Sequence, residues 1–504
     1  MATRTHSIQL TGGSACVVTV ECHMSKGLPA VTVVGMTNKS VDESKERLRA
    51  AYASSGLTFP KKRITINLAP ADIQKLGASF DLAIAVAILL AAGTVTCDDT
   101  TAFFGELGLD GSIRPVRGLI GKLLHARQAG LTTVYVPAEN SEQALLVPGL
   151  QVFTLHSLLE LCRHLTGTEV LVPVDTKDGV FSVPVSALNS KVDISDVIGQ
   201  ERAKRALLVA AAGGHNVLFN GAPGMGKSML AKTLPSILPG LSHEEALTIS
   251  HIHSLGASDN NKPMYTRPFR SPHHSASDVS VVGGGQNPRP GEITMAHGGV
   301  LFLDELPEFR RSTIESLRQP LEDGVITVAR AKETVDYPAQ FMLVATRNPC
   351  PCGYFGSTRE CVCTAAQIAN YNKKISGPIE DRIDIHVTVD PVEHKDLLST
   401  TTLKSSEHLR AIVERVRATQ SARYGNNGAT NASVSSQKMK EIIQLTAEAE
   451  ALLNTAAERL QLSPRVYMKT LKIAQTIADI DNAKVVDIAH ISEALQYRPV
   501  VTTL

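Results

Sequence analysis

Eight consecutive residues carry the clearest chemistry in the chain: Gly221, Ala222, Pro223, Gly224, Met225, Gly226, Lys227 and Ser228. They fit the spacing G-x-x-x-x-G-K-[ST], follow the apolar run Asn216–Phe219 and lead into a helical stretch, Met229–Leu234. In that context the glycines let backbone N–H groups close around the β- and γ-phosphates of ATP. The helix N-terminus adds a positive dipole, Lys227 a point charge and Ser228 a hydroxyl for Mg²⁺.

A second apolar run, Gly299–Leu303, ends in Asp304 and Glu305. At the C-terminal end of a parallel strand, Asp304 can hold the Mg²⁺ shell and Glu305 can polarise an attacking water. A third run, Phe341–Thr346, is followed by Asn348, whose amide suits positioning of that water. An asparagine in a turn before Pro349 is the plainer reading of the same residue, and both stay open.

Cys350, Cys352, Cys361 and Cys363 give the spacing C-x-C-x8-C-x-C. Four thiolates so close can close a tetrahedral Zn²⁺ site with no open position, hence a structural metal rather than a catalytic one. The spacing departs from the usual C-x2-C knuckle, and reduced cysteines in a loop are the alternative. Cys16, Cys22, Cys97 and Cys162 are scattered and read as core.

Two further segments bear on a substrate. Ile326–Val335 alternates like a β-hairpin with Arg330 and Lys332 at its centre. In ring helicases such hairpins carry basic tips into the pore, so by that analogy the segment suits the phosphate backbone of single-stranded or branched DNA; a solvated hairpin at a subunit interface is the alternative. His273 and His274 have no acidic or histidine partner at helical spacing, which favours loop packing or a phosphate contact over a metal. Aromatic residues make up only 4% of the chain and tryptophan is absent, so tracking a backbone fits better than stacking on bases.

These groups need elements to position them. The chain has 504 residues, enough for about three domains at roughly 100–200 residues each. Residues 1–165 alternate β-rich runs with helical stretches, and 166–192 read as an extended linker with two Val-Pro pairs. Residues 193–392 alternate strands and helices as a doubly wound parallel sheet requires, and 393–504 are helical, with helices expected over Met439–Leu460 and Pro464–Ile480. A net charge of +1 argues against a protein that coats nucleic acid through bulk charge. The longest apolar stretch, Leu82–Val95, falls short of the roughly 20 residues a bilayer requires. With no secretory leader pattern and few cysteines, a cytoplasmic location without membrane attachment is expected.

The order of phosphate loop, Asp304-Glu305, Asn348, Asp381-Arg382-Ile383-Asp384 and Ser463-Pro464-Arg465 resembles an AAA+ ATPase. Arg267–His274, Asn348–Gly353 and Gly77–Asp81 narrow the resemblance to the magnesium-chelatase-like ComM/YifB family, over nearly the whole chain. The resemblance implies an α/β protein with a Lon-protease-like α/β domain, an AAA+ doubly wound parallel sheet and a C-terminal all-helical lid. It implies ATP and Mg²⁺ as cofactors, Arg382 as an arginine finger acting on the neighbouring subunit, and Arg465 as the sensor arginine of the lid. Val197, Ile198, Gly199 and Gln200 would line the adenine pocket. The resemblance also implies a hexameric ring, which fits an arginine supplied in trans because that requires a subunit interface.

Gly77–Asp81 is similar to the serine segment of Lon-type protease domains, and Gly111–Lys122 to the lysine region of their Ser–Lys dyad. Aligned by hand, the lysine position falls on Ile120, with Lys122 two residues on. The expectation is a Lon-like fold without its base, with Ser79 as a helix N-cap. The function implied by the family is a hexameric ATP-dependent DNA helicase that drives branch migration during recombination in natural transformation. A protein-remodelling or metal-chelatase-type motor with partner subunits is the alternative, and an ATP-dependent protease a third.

Overall fold

The computed structural model describes all residues except 1–2, 12–13, 36–38, 74, 76–77, 175–191, 257–261, 285–288, 330–333, 358, 392–404, 426–427 and 500–504. The chain folds into two compact units. One is built on Met1–Ser182 with Ser242–Met264; the other is built on Val183–Leu241, Tyr265–Val328 and Asp336–Leu504.

The first unit is built on a seven-stranded mixed sheet. Its spatial order is Ala30–Val34, Arg63–Ala69, Ser14–Ser25, Thr3–Thr11, Thr101–Phe103, Thr133–Pro137 and Gln151–Leu155. Thr3–Thr11, Ser14–Ser25 and Arg63–Ala69 run antiparallel in succession, and the remaining neighbours are parallel. The apolar stretch after Phe80 forms the helix Asp81–Ala92, buried from Asp81 through Leu89. A helix apolar on every side must be enclosed, and this one packs on the first two strands with Tyr52, Ile64 and Phe103 in the same core. A second core holds Leu119, Ile120 and Leu123 of the helix Leu119–Gln128.

Ser79 does not cap the apolar helix. Phe80 occupies the cap position with near-helical angles and no side-chain bond. Backbone carbonyls do the work instead: Asp81 N–H donates to Ala78 O and Leu82 N–H to Gly105 O. Asp81 is committed to the fold through a two-pronged pair with Arg47, at 2.7 and 3.2 Å. Burial pushes its carboxyl up to about 6 even against the pull of Arg47. The extended stretch after residue 166 hydrogen-bonds to the sheet edge, Val174 N–H to Val152 O, while 175–191 lie outside the described residues.

The helix His243–Ser254, closed by a capping box between Ser242 and Glu245, belongs to this first unit. Its Leu247 reaches the second core, and Gly121 meets the His251 ring so closely that no side chain fits there. Sequence texture alone had grouped it with the residues around it, because its apolar face gives no clue to which core receives it.

The second unit carries a five-stranded, all-parallel sheet in the order Phe269–Arg270, Val300–Leu303, Met342–Arg347, Val217–Asn220 and Ile385–Thr388. The helices after residue 405 share one core with this sheet: Val413, Leu453, Ile477 and Ile491 cluster with Val217, Val344 and Ile385. The helix expected over Met439–Leu460 is instead two, Ser436–Ile442 and Ala447–Arg459. Between them the chain turns extended: Val486 N–H donates to Gln444 O and Thr446 N–H to Val486 O, and Thr446 caps the second helix. Among the described residues no helix is long and apolar enough to cross a membrane.

Candidate functional site

Three neighbouring parallel strands end side by side and deliver the three sequence signals to one place. Val217–Asn220 feeds the phosphate loop, in which Gly224 and Gly226 both take φ of +81°. That left-handed geometry suits glycine, and Gly226 is the N-cap of the helix Lys227–Ile237. Lys227 is only 8% exposed. Its ammonium donates to Gly221 O, to Arg347 O at 3.2 Å and to Asn348 Oδ1 at 2.7 Å. Burial pulls its pKa down to about 8, with Asp304 and Glu305 opposing.

Asp304 follows the buried strand Val300–Leu303. It accepts from Ser228 Oγ at 2.9 Å through one oxygen and from Thr346 Oγ1 at 2.6 Å through the other. Glu305 sits at φ +55°, a left-handed conformation that costs a non-glycine residue about 1 kcal/mol or more. The turn is held by its own N–H donating to Thr346 Oγ1 at 2.8 Å, and Asn348 Nδ2 lies 3.4 Å from Glu305 Oε1. Ser228, Asp304, Glu305, Lys227 and Asn348 therefore form one constellation. Its hydroxyl and carboxylate fit a hydrated Mg²⁺, and its ammonium and loop amides fit phosphate oxygens.

Thr346 is the residue sequence reasoning missed. It is fully buried and ties Asp304 to the Glu305 backbone. A small hydroxyl at the end of an otherwise apolar strand was its only sequence signal.

The two arginines of the family resemblance lie near one another. Arg382, 9% exposed in its side chain, pairs with Glu322 and donates to Pro378 O at 2.7 Å. Burial lowers its pKa, and the neighbouring charges of Arg465 and Arg318 lower it further. Arg465 is exposed in the first turn of the helix Pro464–Ile480, which Ser463 caps. Arg382 is anchored from behind: its carbonyl accepts from Asn216 Nδ2 at 3.1 Å, and Asp384 accepts from Asn216 N–H and pairs with Lys469. Burial alone would raise the Asp384 carboxyl, but Lys469 and His215 hold it well below the usual range.

Val197 is buried; Gly199 and Gln200 are both left-handed, and Gln200 Nε2 donates to Asp390 O at 2.5 Å. Ile198 is half-buried between them. The strands Val325–Ala329 and Thr334–Pro338 pair as the alternation predicted, while Arg330 and Lys332 lie outside the described residues. The His273 and His274 rings lie 4.1 Å apart with a 34° tilt, and His273 Nδ1 contacts Ser275 Oγ at 2.7 Å, so loop packing accounts for the pair.

The ligand sulfurs of Cys350, Cys352, Cys361 and Cys363 lie within 4.8 Å of one another, the one such metal-ligand group among the described residues. Three of their separations are 3.3, 3.6 and 3.5 Å. Zn–S bonds of about 2.3 Å place tetrahedral sulfurs slightly under 4 Å apart, so the set fits such an ion. N–H groups of Phe355 and Cys352 point at Cys350 Sγ and Cys363 Sγ, which favours thiolates. Of the other four cysteines, Cys22 and Cys162 are buried and Cys16 and Cys97 pack against the same core, as expected.

In the first unit, Ile120 is fully buried and cannot act as a base, while Lys122 is 5% exposed. Desolvation takes Lys122 down to about 8, and among the described residues no acceptor meets its ammonium.

Family models cover most of the chain: magnesium chelatase subunit ChlI over 193–397, subunit ChlI of Mg-chelatase over 20–140, and the ChlI C-terminal region over 403–498. The chain is 41% identical over 498 residues to the protein YifB of Escherichia coli (strain K12), covering 98% of this chain and 96% of that one. It is 40% identical over 501 residues to competence protein ComM of Haemophilus influenzae, with the same coverage. A shorter likeness, 27% over 168 residues, covering 32% of this chain and 29% of that one, is to Lon protease 2 of Bacillus subtilis. Full-length identity at this level, on a P-loop sheet with its acidic strand end in place, makes the chain a member of the magnesium-chelatase-like ComM/YifB family of AAA+ ATPases.

Proposed function

We propose that this protein is an ATP-driven DNA motor that assembles as a hexamer and promotes branch migration in homologous recombination during natural transformation. The observation that carries the ATPase half is the Lys227–Asn348–Glu305 and Ser228–Asp304–Thr346 constellation. The DNA half leans on full-length identity to a competence protein.

In this reading Gly221–Ser228 hold the phosphates of ATP, and Ser228 with Asp304 would hold a Mg²⁺ that would neutralise phosphate charge. Lys227 gives up its carbonyl acceptors for phosphate oxygens. Glu305 orients and deprotonates water, and Asn348 fixes both the carboxylate and the lysine. Arg382 leaves Glu322 to meet the γ-phosphate of a neighbouring subunit, and Arg465 senses nucleotide from the helical region. Arg330 and Lys332 carry the DNA backbone contact, and the four cysteines hold a structural Zn²⁺.

A chelatase-type motor is the second reading, because the family models are those of a magnesium chelatase subunit. ATP turnover measured with and without four-way DNA separates the two. The DNA-motor reading expects stimulation that Arg330→Ala with Lys332→Ala weakens while basal turnover survives. Turnover indifferent to every DNA offered, single-stranded or branched, moves the assignment to a protein-remodelling motor.

A further inference from the structure

The first pair of cysteines is joined to the nucleotide site on both of its sides. Cys350 follows Asn348 by two residues, and the Asn348 side chain is bonded to Lys227 at 2.7 Å. Gly353, just after Cys352, lies against the phosphate loop. It takes φ +87°, and a Cβ there would stand 2.6 Å from Pro223 Cδ. The described residues between Asn348 and Thr364 form neither helix nor strand, so little besides the thiols and a few turn bonds fixes this segment. Gly353 N–H donates to Cys350 O at 2.9 Å, and Phe355 N–H meets Cys350 Sγ at 3.3 Å, so the part of the loop that touches Pro223 is referenced directly to the cluster.

The phosphate loop, this loop and the strand end at Thr388 and Val389 line a cavity of about 500 Å³, with Pro223, Arg347, Tyr354 and Phe355 on its walls. The cysteine loop meets the phosphate loop where Gly353 packs on Pro223. We infer that a zinc ion on Cys350, Cys352, Cys361 and Cys363 is a clamp that presses the Gly353 turn onto Pro223 and holds Asn348 toward Lys227, so that metal occupancy sets nucleotide affinity. Removing the ion frees four ligands within a short segment, which loses the cross-link that fixes it. The phosphate loop then loses its backing and Lys227 its side-chain acceptor. This rests on the nucleotide-site reading above and adds its regulation.

The test uses the full-length protein, with zinc measured by elemental analysis and binding of a fluorescent ATP analogue by titration. About one zinc per chain is expected. Stripping it with a mercurial and a chelator, then releasing the mercury from the cysteines with excess thiol, should weaken nucleotide binding about ten-fold or more, and returned zinc should restore it. Gly353→Val leaves all four thiols in place but drives the turn off Pro223, both by collision and by the left-handed φ that valine resists, so it should keep the zinc yet show the same weakening. Protein isolated without metal, or unchanged affinity after stripping, overturns the clamp. If the stripped protein unfolds by circular dichroism, Gly353→Val decides alone, and zinc retained with wild-type affinity overturns it. A Lys227→Ala variant that binds nucleotide normally would instead condemn the nucleotide-site reading itself.

Discussion

Two lysines, one in each unit, are each under a tenth exposed and are both drawn down to about 8 by desolvation, yet their surroundings differ. Lys227 stands among three oxygen acceptors and near two carboxylates. Lys122 has desolvation and nothing to offset it. Burial alone makes a lysine weakly basic. What marks a site is a second set of groups arranged to use the charge. By that measure the parallel-sheet unit holds a set of groups that fits phosphate, whereas the lysine of the mixed-sheet unit is a desolvated cation with no charge partner to raise its pKa.

Substitution should separate the two sharply. Lys227→Ala is expected to weaken nucleotide binding on the order of 100-fold or more, since it removes the one side-chain cation of the phosphate loop. Lys122→Met is expected to leave nucleotide binding untouched in the same titration. Equal effects would erase the distinction. Glu305→Gln should bind ATP normally and lose turnover by about 10²–10⁴-fold, read from phosphate release. Thr346→Val keeps the shape and removes the hydroxyl that spans Asp304 and Glu305. A fall in kcat of about ten-fold with nucleotide affinity nearly intact is its expected signature.

Acidity sharpens the contrast with smaller effects. Lys227 loses its proton as pH rises through about 8, so nucleotide affinity of the free protein should decline between pH 7 and 9. For Lys122 the sign concerns stability. Its folded pKa lies below that of an unfolded lysine, so the unfolded chain holds more protons between about 8 and 10.5, and stability rises with pH across that window. Below it the full penalty stands, up to about 3 kcal/mol, which Lys122→Met should recover at pH 7 as a raised midpoint of unfolding. An unchanged or lowered midpoint would mean the ammonium is solvated after all.

The phosphate loop and the Asp304-Glu305 strand end were legible in sequence because each is a local pattern whose chemistry and backbone needs coincide. The cysteines were legible as a set, since ligand spacing is short-range. Thr346 and Glu322 were not: which hydroxyl bridges Asp304 and which acid pairs Arg382 depends on strand adjacency and on packing across 42 and 60 residues of chain. Ser79 looked like a cap because serine before an apolar run usually is one. There the carbonyls of Ala78 and Gly105 had already satisfied the donors. The allegiance of His243–Ser254 to the first unit was hidden for the same reason, as an amphipathic face does not name its partner.

The most direct measurement is ATP-driven branch migration of a labelled four-way DNA junction, followed as release of one duplex arm, with Glu305→Gln beside the wild type. Arm release that needs ATP, occurs with the wild type and fails with a variant that still binds ATP is the predicted result. An intact junction alongside vigorous ATP turnover would contradict the DNA-motor reading.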